Sequence, residues 1–495
     1  MLKKIFESTL IMGTSSVLVL MLDLVRVKIL AVFLGPSGVG ILSVLNHFHT
    51  VAVTCIGLGL GTGIVKYVSS FKHIGDEPSV QSVLSISFYI PFFLSFMAFA
   101  VSVFLSPQLS DWMLSDTRYS LFIVLYAISF PIAVFPITTN SFLQGLKRIT
   151  SLAKINVLRS SISLLFIIPL VYFFRLRGAV LSVIIITAVH LLLNAFYLGK
   201  EEHHYSVVKW PSFDADVLKK LFQYGLTSLL VGTAYYLSHL LLKILIVSSL
   251  GLEMNGIYQP IWALTMTYLT LVLSSMSAYS YPRLCELESI RDINEELNGI
   301  IRVAVLLITP AMFFLLLARG PIIQLLYTRQ FLAATEFMPI QILGDFFKVL
   351  FWSVGMYLLP TRRLVTFIWS NLLQDVVMVV LAYILVDAYQ LYGIAASFAL
   401  SYLIGFVVLY WYTKNQMSFS LWKKNKRLLL SSFFGLLVIT LGEMYLALGQ
   451  FIAIVAAAIL LWAFFSIERD EVVQLKDYVS EKILKHLPTS DMSSP

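Results

Sequence analysis

Charged side chains inside long apolar segments are the first residues of this chain that could do chemistry. The stretch LDLVRVKILAVFLGPSGVG, residues 22–40, carries Asp23, Arg26 and Lys28. Even the mildest scale puts one such charge at the centre of a bilayer at about 2.5–3.5 kcal/mol, so a functional reason is expected. Asp23 and Arg26 are spaced to neutralise each other on one helix face. Lys28 lies on another face, where it either extends to the membrane interface or faces a polar cavity.

Other basic residues are placed where an anion could meet them. Lys243 lies deep in another apolar segment, and four more basic residues lie near the ends of such segments: Lys66, Arg159, Arg283 and Arg302. Taken singly, each of the four is better interpreted as an interfacial anchor. Together they suggest cationic walls that would concentrate an anion and hold phosphate groups. We therefore predict that an anionic substrate binds at Arg26, Lys28, Lys66, Arg159, Lys243 and Arg283.

Two carboxylates are candidates for reversible ion binding. Asp375 is central in an apolar segment and has no cation within one turn of its own helix. A lone carboxylate in the middle of a bilayer is a candidate for proton or Na⁺ linkage, and the alternative is pairing with an arginine of another helix. Asp345 lies three residues before Lys348 and is either its buried partner or a second ion-coupling group.

Motifs for metal, nucleotide or covalent chemistry are missing from the sequence. Its two cysteines, Cys55 and Cys285, are far apart, and no CxxC or Cys/His cluster is present. The glycine series GLGLGTG, residues 57–63, lies in an apolar segment without a preceding strand, so it fails as a phosphate-binding loop. Close helix packing or bending explains it better. No Walker A loop, HExxH or credible GxSxG occurs, so we predict no metal, no cofactor and no enzymatic activity.

The composition places these residues in a membrane. The chain has 495 residues, of which 59% are hydrophobic and 13% charged, and its mean hydropathy is +0.86. Soluble domains are usually about 45–50% apolar and about 25% charged. The net charge of +8 does not predict nucleic-acid binding, because the basic residues lie in short loops as the positive-inside rule expects. The predicted fold is an all-α polytopic membrane protein.

Apolar runs between polar residues predict about fourteen transmembrane helices. They are 8–34, 40–70, 83–105, 119–143, 153–174, 178–198, 221–249, 255–281, 301–327, 337–359, 364–386, 391–413, 428–447 and 450–466. The predicted organisation is a six-helix lobe at 1–198, a cytoplasmic linker at 199–220 and a second six-helix lobe at 221–413. Two additional helices at 414–466 and a cytoplasmic tail at 467–495 follow. Prolines within spans predict helix kinks at Pro91, Pro131, Pro136, Pro169, Pro260 and Pro310.

The basic residues between spans predict the orientation. The strongest cluster comprises Lys414, Lys423, Lys424, Lys426 and Arg427, and it falls on the same side as the N-terminus. The positive-inside rule places that side in the cytoplasm, with Arg175 and Arg177 as exceptions. Both termini are therefore predicted to be cytoplasmic.

An internal repeat relates the two predicted lobes. VKILAVFLGPSGVGI, residues 27–41, aligns with LKILIVSSLGLEMNGI, residues 242–257, with one inserted residue. The alignment matches Lys28 with Lys243, and it also matches two pairs of glycines, Gly35 with Gly251 and Gly40 with Gly256. Six helices per repeat is an even number, so the sequence predicts two parallel six-helix bundles around a central cavity.

Three segments resemble a known family. RVKILAVFLGPSGVGILS and GLGLGTGIVKYVSSF, residues 26–43 and 57–71, resemble the opening helices of bacterial polysaccharide flippases. These are the O-antigen translocases of the multidrug/oligosaccharidyl-lipid/polysaccharide exporter superfamily. GPIIQLLYTRQFLAATEFMPIQIL, residues 320–343, resembles their connection between the ninth and tenth helices. Arg26 stands at a first-helix arginine position also seen in the related lipid II flippases.

The resemblance implies two six-helix lobes around a cationic cavity, with two extra helices in some members. It implies flipping of an undecaprenyl-diphosphate-linked oligosaccharide, such as an O-antigen-like repeat unit, across the bacterial inner membrane. The expected partners are this substrate, membrane lipids, H⁺ or Na⁺ and the polysaccharide polymerase machinery, but no nucleic acid. Two alternatives remain: a cation-coupled multidrug antiporter of the same superfamily, and a polytopic oligosaccharide polymerase.

Overall fold

The computed structural model describes residues 2–201, 205, 215–445 and 448–466, and these residues form helices without any strand. The α-helices are α1 (Leu2–Ile56), α2 (Leu60–His73), α3 (Glu77–Phe104), α4 (Ser106–Leu114), α5 (Ser120–Gly145), α6 (Ile149–Glu201), α7 (Ala215–Leu250), α8 (Leu252–Glu286), α9 (Ile290–Leu326), α10 (Ala334–Gly355), α11 (Leu364–Met417), α12 (Lys423–Tyr445) and α13 (Leu448–Ser466). Short 3₁₀ turns at Thr117–Tyr119 and Arg329–Phe331 precede α5 and α10. The all-α membrane fold predicted from the sequence is confirmed.

Three of these helices are broken into two segments each. At 1.5 Å per residue, a helix of more than 50 residues would be roughly 80 Å long, well over twice the hydrocarbon thickness. The breaks fall at Gly35 (φ 64°) in α1, at Arg175 (φ 49°) in α6 and at Gln390 (φ 49°) in α11. Among the described residues, nine helices are long and apolar enough to cross a membrane. The total of fourteen spans stays a prediction.

Two lobes are built from consecutive helices, which we call the N-lobe (α1–α6) and the C-lobe (α7–α11). The largest hydrophobic cluster lies within residues 242–462 and joins α7–α11 with α12 and α13. A second cluster covers the α2, α3 and α5 region of the N-lobe and extends to the start of α7. A third contains Leu240, Ile244 and Val247 of α7 together with N-lobe residues, so α7 packs on both lobes.

The structure shows the internal repeat in its helix breaks. The break at Gln390 lies 215 positions after the break at Arg175 (390 − 175). Each break is followed three residues later by a glycine, Gly178 or Gly393, at which a Cβ would collide with the carbonyl oxygen of Leu170 or Leu385. The two lobes therefore use the same tight connection between antiparallel helices, with a glycine where the two backbones meet.

The predicted second span, residues 40–70, is not one continuous helix. It is interrupted at 57–59, where Leu58 (φ 51°) and Gly59 (φ 65°) adopt left-handed conformations. A Cβ at Gly59 would overlap the carbonyl oxygen of Gly225 in α7. The expectation of bending and close packing at this glycine series is therefore confirmed, and glycine is required because only its backbone allows both.

Prolines do not cause the main breaks. Pro91, Pro131, Pro169 and Pro310 lie inside helices whose backbones stay helical around them, and only the break at Gly35 has a proline as its neighbour. Most of the predicted linker, at 202–204 and 206–214, and the predicted tail at 467–495 lie outside the described residues.

Candidate functional site

A cavity of about 930 Å³ lies between the lobes, near the end of the bundle where α8 and α10 end. Most of its wall comes from α8, α10 and α11, and Thr62 of α2 and Gln144 of α5 complete it from the N-lobe. Hydroxyl and amide groups on the wall include Ser274, Ser277, Asn371 and Gln374, and large rings include Tyr235, Tyr281, Trp352 and Tyr402. The wall therefore offers hydrogen-bonding groups and flat apolar faces together.

Lys348 is the only charged residue among the described residues that line this cavity. Its Nζ lies 5.6 Å from the ring centre of Tyr235, 5.7 Å from that of Phe398 and 5.4 Å from that of Tyr402. The π faces of these rings stabilise the ammonium partly, and each contact contributes about 0.5–2 kcal/mol. The cavity thus presents one cation, held by three aromatic rings.

Two buried carboxylates lie behind Lys348. Asp345 is fully buried and accepts hydrogen bonds from the hydroxyls of Tyr268 (2.6 Å) and Thr265 (3.0 Å), while its Oδ1 has no hydrogen-bond partner. Asp375 is also buried and accepts a hydrogen bond from Ser238 (3.1 Å). Both lie within electrostatic reach of Lys348.

The direct ion pair between Asp345 and Lys348, one of the two alternatives that the sequence left open, is not formed. Ion pairs within 4.0 Å in the described part of the chain join other residues, among them Lys72–Glu77, Arg118–Asp116, Arg283–Glu286 and Arg291–Glu295. Asp345 is held by hydroxyl groups instead, which leaves the Lys348 ammonium available to the cavity. The attraction still acts, because charges separated by a few ångströms interact strongly in a medium of low dielectric constant.

Arg26 and Arg159 form a second basic group in the N-lobe. Arg159 lies within electrostatic reach of Asp23 and Arg26, and both arginines have a buried Nε without a hydrogen-bond partner. The expected pairing of Asp23 with Arg26 is wrong, because no ion pair within 4.0 Å joins them in the described structure. The two guanidinium groups therefore keep unused hydrogen-bonding capacity.

The matched lysines of the repeat have different surroundings. Lys28 donates hydrogen bonds to the carbonyl oxygens of Gln324 (2.8 Å) and Tyr327 at the end of α9. This is the favourable position for a cation, at the negative end of a helix. Lys243 is buried, donates to Oε1 of Gln259 (2.7 Å) and lies 5.3 Å from the ring centre of Trp262. Neither lysine is among the residues that line the large cavity.

The remaining predicted basic residues lie at helix ends. Lys66 is exposed, one turn beyond the cavity-lining Thr62, and its Nζ lies 5.3 Å from the ring centre of Tyr67. Arg283 is exposed beside the cavity-lining Pro282 and pairs with Glu286 at 3.3 Å. Arg302 is buried and donates to the carbonyl oxygen of Ser466 at the end of α13 (3.0 Å), so it ties α9 to α13.

The sequence did not single out Lys348 as a cavity residue. The spacing of the two residues, both on α10, indicates Lys348 only as a partner of Asp345. Its exposure to the cavity depends on how α7, α8 and α11 surround α10, and no local pattern records that arrangement. The sequence signal that points to Lys348 is the presence of an ionisable group inside an apolar span.

Comparisons with known proteins agree on the family. Residues 29–336 match the model of a family described as polysaccharide biosynthesis protein. The chain is 24% identical to the lipid III flippase of Escherichia coli (strain K12) over 384 residues. The aligned region is 77% of this chain and 91% of the flippase. It is 27% identical over 154 residues to stage V sporulation protein B of Bacillus subtilis (strain 168), over 31% of this chain and 29% of that protein.

Solved structures show the same fold. A multidrug resistance transporter of the MATE family in the MOP superfamily, in an inward-facing conformation, aligns with a TM-score of 0.72 at 15% identity, over 81% of this chain and 94% of that chain. The lipid II flippase MurJ, in an inward closed conformation, aligns with a TM-score of 0.61 at 15% identity, over 96% of this chain and 100% of that chain. The fold is therefore that of the MOP superfamily transporters.

Proposed function

Because this chain belongs to the polysaccharide biosynthesis protein family, we propose that it is a flippase for a lipid-linked oligosaccharide. The proposed substrate is an undecaprenyl-diphosphate-linked, O-antigen-like repeat unit. The proposed location is the bacterial inner membrane, with both termini in the cytoplasm. The lipid III flippase relative, similar over 91% of its own length, supports a substrate of this class.

The observation that carries the proposal is the cavity between the lobes, with Lys348 as its only charged group in the described wall. A diphosphate needs a cation and a polar route, since an unpaired charge in an apolar medium is costly. The hydroxyl and amide groups of Ser274, Ser277 and Asn371 can exchange hydrogen bonds with sugar hydroxyls. The rings of Trp352 and Tyr281 can pack against the apolar faces of sugars. The prenyl chain needs no such path and stays in the lipid.

The proposed mechanism is alternating access. The head group enters past Lys66 and Arg283, which lie beside the cavity wall, and reaches Lys348. Rocking of one lobe against the other then exposes the site to the opposite side of the membrane. Arg26 and Arg159, with their unused guanidinium donors, provide the N-lobe contribution. Asp375 and Asp345, near Lys348, are the proposed sites of H⁺ or Na⁺ coupling.

A cation-coupled multidrug antiporter is the second candidate, and the buried pair Asp345 and Asp375 favours it. A carboxylate-lined cavity would suit a cationic drug, but both carboxylates lie behind Lys348, and the cation faces the cavity. The same arrangement suits an anion better. An oligosaccharide polymerase is the third alternative, and it predicts catalytic side chains at a large outer loop.

Transport by purified protein in vesicles tests the proposal. A fluorescent undecaprenyl-diphosphate oligosaccharide should become accessible on the far side of the membrane, and Lys348→Gln should reduce the rate at least tenfold. Lys348→Arg should restore part of the rate, whereas Arg291→Gln, on the exposed surface of α9, should have no effect. Full transport by Lys348→Gln, or efflux of a cationic dye with no movement of the lipid-linked sugar, would refute the proposal.

A further inference from the structure

A second group of polar side chains surrounds Trp262 at the contact between the lobes. We call it the Trp262 cluster, and it comprises His47 of α1, His239 and Lys243 of α7, and Gln259 and Trp262 of α8. The ring centre of Trp262 lies 4.6 Å from that of His47 and 6.3 Å from that of His239, and Lys243 Nζ lies 5.3 Å from it. One residue from the N-lobe and four from the C-lobe therefore meet around one indole ring.

The cluster has hydrogen-bonding capacity that the protein does not use. Nε2 of His239 and Nε1 of Trp262 are buried without a hydrogen-bond partner. The Lys243 ammonium has three N–H donors, and its one hydrogen bond goes to the neutral amide of Gln259. None of the ion pairs in the described part of the chain involves Lys243. A buried cation with so little compensation indicates a role that requires it.

The cluster lies next to a cavity that overlaps the large one. A smaller cavity of about 330 Å³ shares Tyr235, Lys348 and Trp352 with the large one and extends along α8 to Met266, one turn from Trp262. The ring centre of Tyr235 is 4.4 Å from that of His239. A row of basic groups thus runs from Lys348 through His239 to Lys243.

Beyond the cluster, the lobes are closed by backbone contact. A Cβ at Gly40 would collide with the carbonyl oxygen of Leu252, and a Cβ at Gly256 would collide with that of Pro36. Asn255 donates to the carbonyl oxygen of Gly40 (2.8 Å) and to Ser43 Oγ (2.9 Å). We call this contact between α1 and α8 the seam. His47 lies one turn inside it and donates from Nδ1 to the carbonyl oxygen of Ser43 (2.9 Å).

We propose that the Trp262 cluster is a second anion-binding site, which takes the phosphate-bearing head group after it leaves Lys348 and before it leaves the protein. In this structure the seam closes the site from the far side. When α1 and α8 separate, His47 moves away from Trp262, and Lys243 and the unused Nε1–H donor of Trp262 become accessible to the anion. This inference rests on the proposed function for the identity of the anion, but the site itself can be tested without it.

Thiol labelling measures access to the cluster. Cys55 and Cys285 are exposed and are first replaced by serine; Ser43→Cys then places one thiol in the seam beside His47. A membrane-impermeant maleimide should label this thiol from the side opposite the large cavity. Adding Asn255→Cys should allow a disulfide across the seam, which stops transport until it is reduced. Failure to label Ser43→Cys from the far side in the reduced, folded protein would overturn the inference.

Inorganic diphosphate serves as the anion probe. At millimolar concentration it should slow labelling of Ser43→Cys several-fold, and inorganic sulfate should do so less. Lys243→Gln should abolish this protection, whereas Lys28→Gln, the matched lysine of the repeat, should leave it intact. Labelling that is unaffected by diphosphate, or protection that survives Lys243→Gln, would show that the cluster binds no anion.

These outcomes are independent of the transport assay. If the lipid-linked oligosaccharide is not moved but diphosphate protection depends on Lys243, the anion site is present and the proposed substrate is wrong. If the oligosaccharide is moved and protection is absent, the proposed function holds and the second site is refuted.

Discussion

Gly40 of α1 and Gly256 of α8 each contact the backbone of the other helix where the two lobes meet. The carbonyl oxygen of Leu252 occupies the position that a side chain at Gly40 would need. The carbonyl oxygen of Pro36 occupies the corresponding position at Gly256. The two glycines are matched residues of the internal repeat, so one sequence element meets its own copy. Seam closure therefore depends on two positions without a Cβ.

Gly256→Ala should loosen the seam. The added methyl group would overlap the Pro36 carbonyl oxygen, so α1 and α8 must move apart or tilt. We expect faster maleimide labelling of Ser43→Cys from the far side, by threefold or more. Gly299→Ala is the matched control, because a Cβ there meets nothing within 4 Å. Equal labelling rates in the two variants would show that the seam is not the closing contact.

Lys243→Met should stabilise the protein while impairing transport. An apolar side chain of similar length removes the desolvation penalty of the buried charge, and even complete buried ion pairs can be replaced by apolar residues with a neutral effect or a gain of about 1–4 kcal/mol. We expect a melting temperature in detergent that is equal to or higher than that of the unaltered protein, with transport reduced at least tenfold. A fall in melting temperature together with normal transport would assign Lys243 a structural role.

Lys28→Gln should lower the stability of the protein while leaving transport per folded molecule unchanged. Its ammonium lies at the carbonyl end of α9, where a cation contributes about 0.3–1 kcal/mol, or up to about 2 kcal/mol when partly buried. We expect a lower melting temperature and a transport rate that falls only in proportion to the amount of folded protein. Transport per folded molecule is the measurement. A severe loss at unchanged stability would instead make Lys28 a substrate ligand, as the sequence predicted.

Asp375→Asn separates ion coupling from a structural role. Asparagine keeps the shape and can still accept the hydrogen bond from Ser238, so the folded protein should accumulate. If Asp375 couples transport to protons, the variant should transport at a rate that no longer responds to an imposed pH gradient. An undiminished response to the gradient would eliminate this role.

Asp345→Asn is the comparison for that experiment. Two hydroxyl donors, Tyr268 and Thr265, converge on one oxygen of Asp345. The amide leaves a buried polar group less well satisfied, and a cost of about 1–3 kcal/mol follows. We therefore expect a lower melting temperature for Asp345→Asn than for Asp375→Asn, measured under the same conditions. Equal melting temperatures would mean that the amide group at position 345 is accommodated without a cost in stability.

The sequence alone determined the class of fold and the repeat. Hydrophobicity decides which segments cross a bilayer, since an apolar run of about 20 residues has few other stable environments. The repeat was visible because Gly35, Gly40 and Lys28 recur in the second half with similar spacing, and the backbone contacts at Gly40 and Gly256 explain why the glycines are needed. Close packing in the series Gly57–Gly63 was also predicted correctly.

The tertiary structure decided what each charged residue contacts. Lys28 and Lys243 are matched in sequence, yet one lies at the end of α9 and the other beneath Trp262. Asp23 and Arg26 have the spacing of an ion pair but do not form one, and Lys348 faces the cavity rather than pairing directly with Asp345. Spacing along one helix fixes only which side chains share a face. The partner of a buried charge is chosen by whichever neighbouring helix brings a carbonyl oxygen, a hydroxyl or an aromatic ring within reach, and that depends on packing between helices far apart in the sequence.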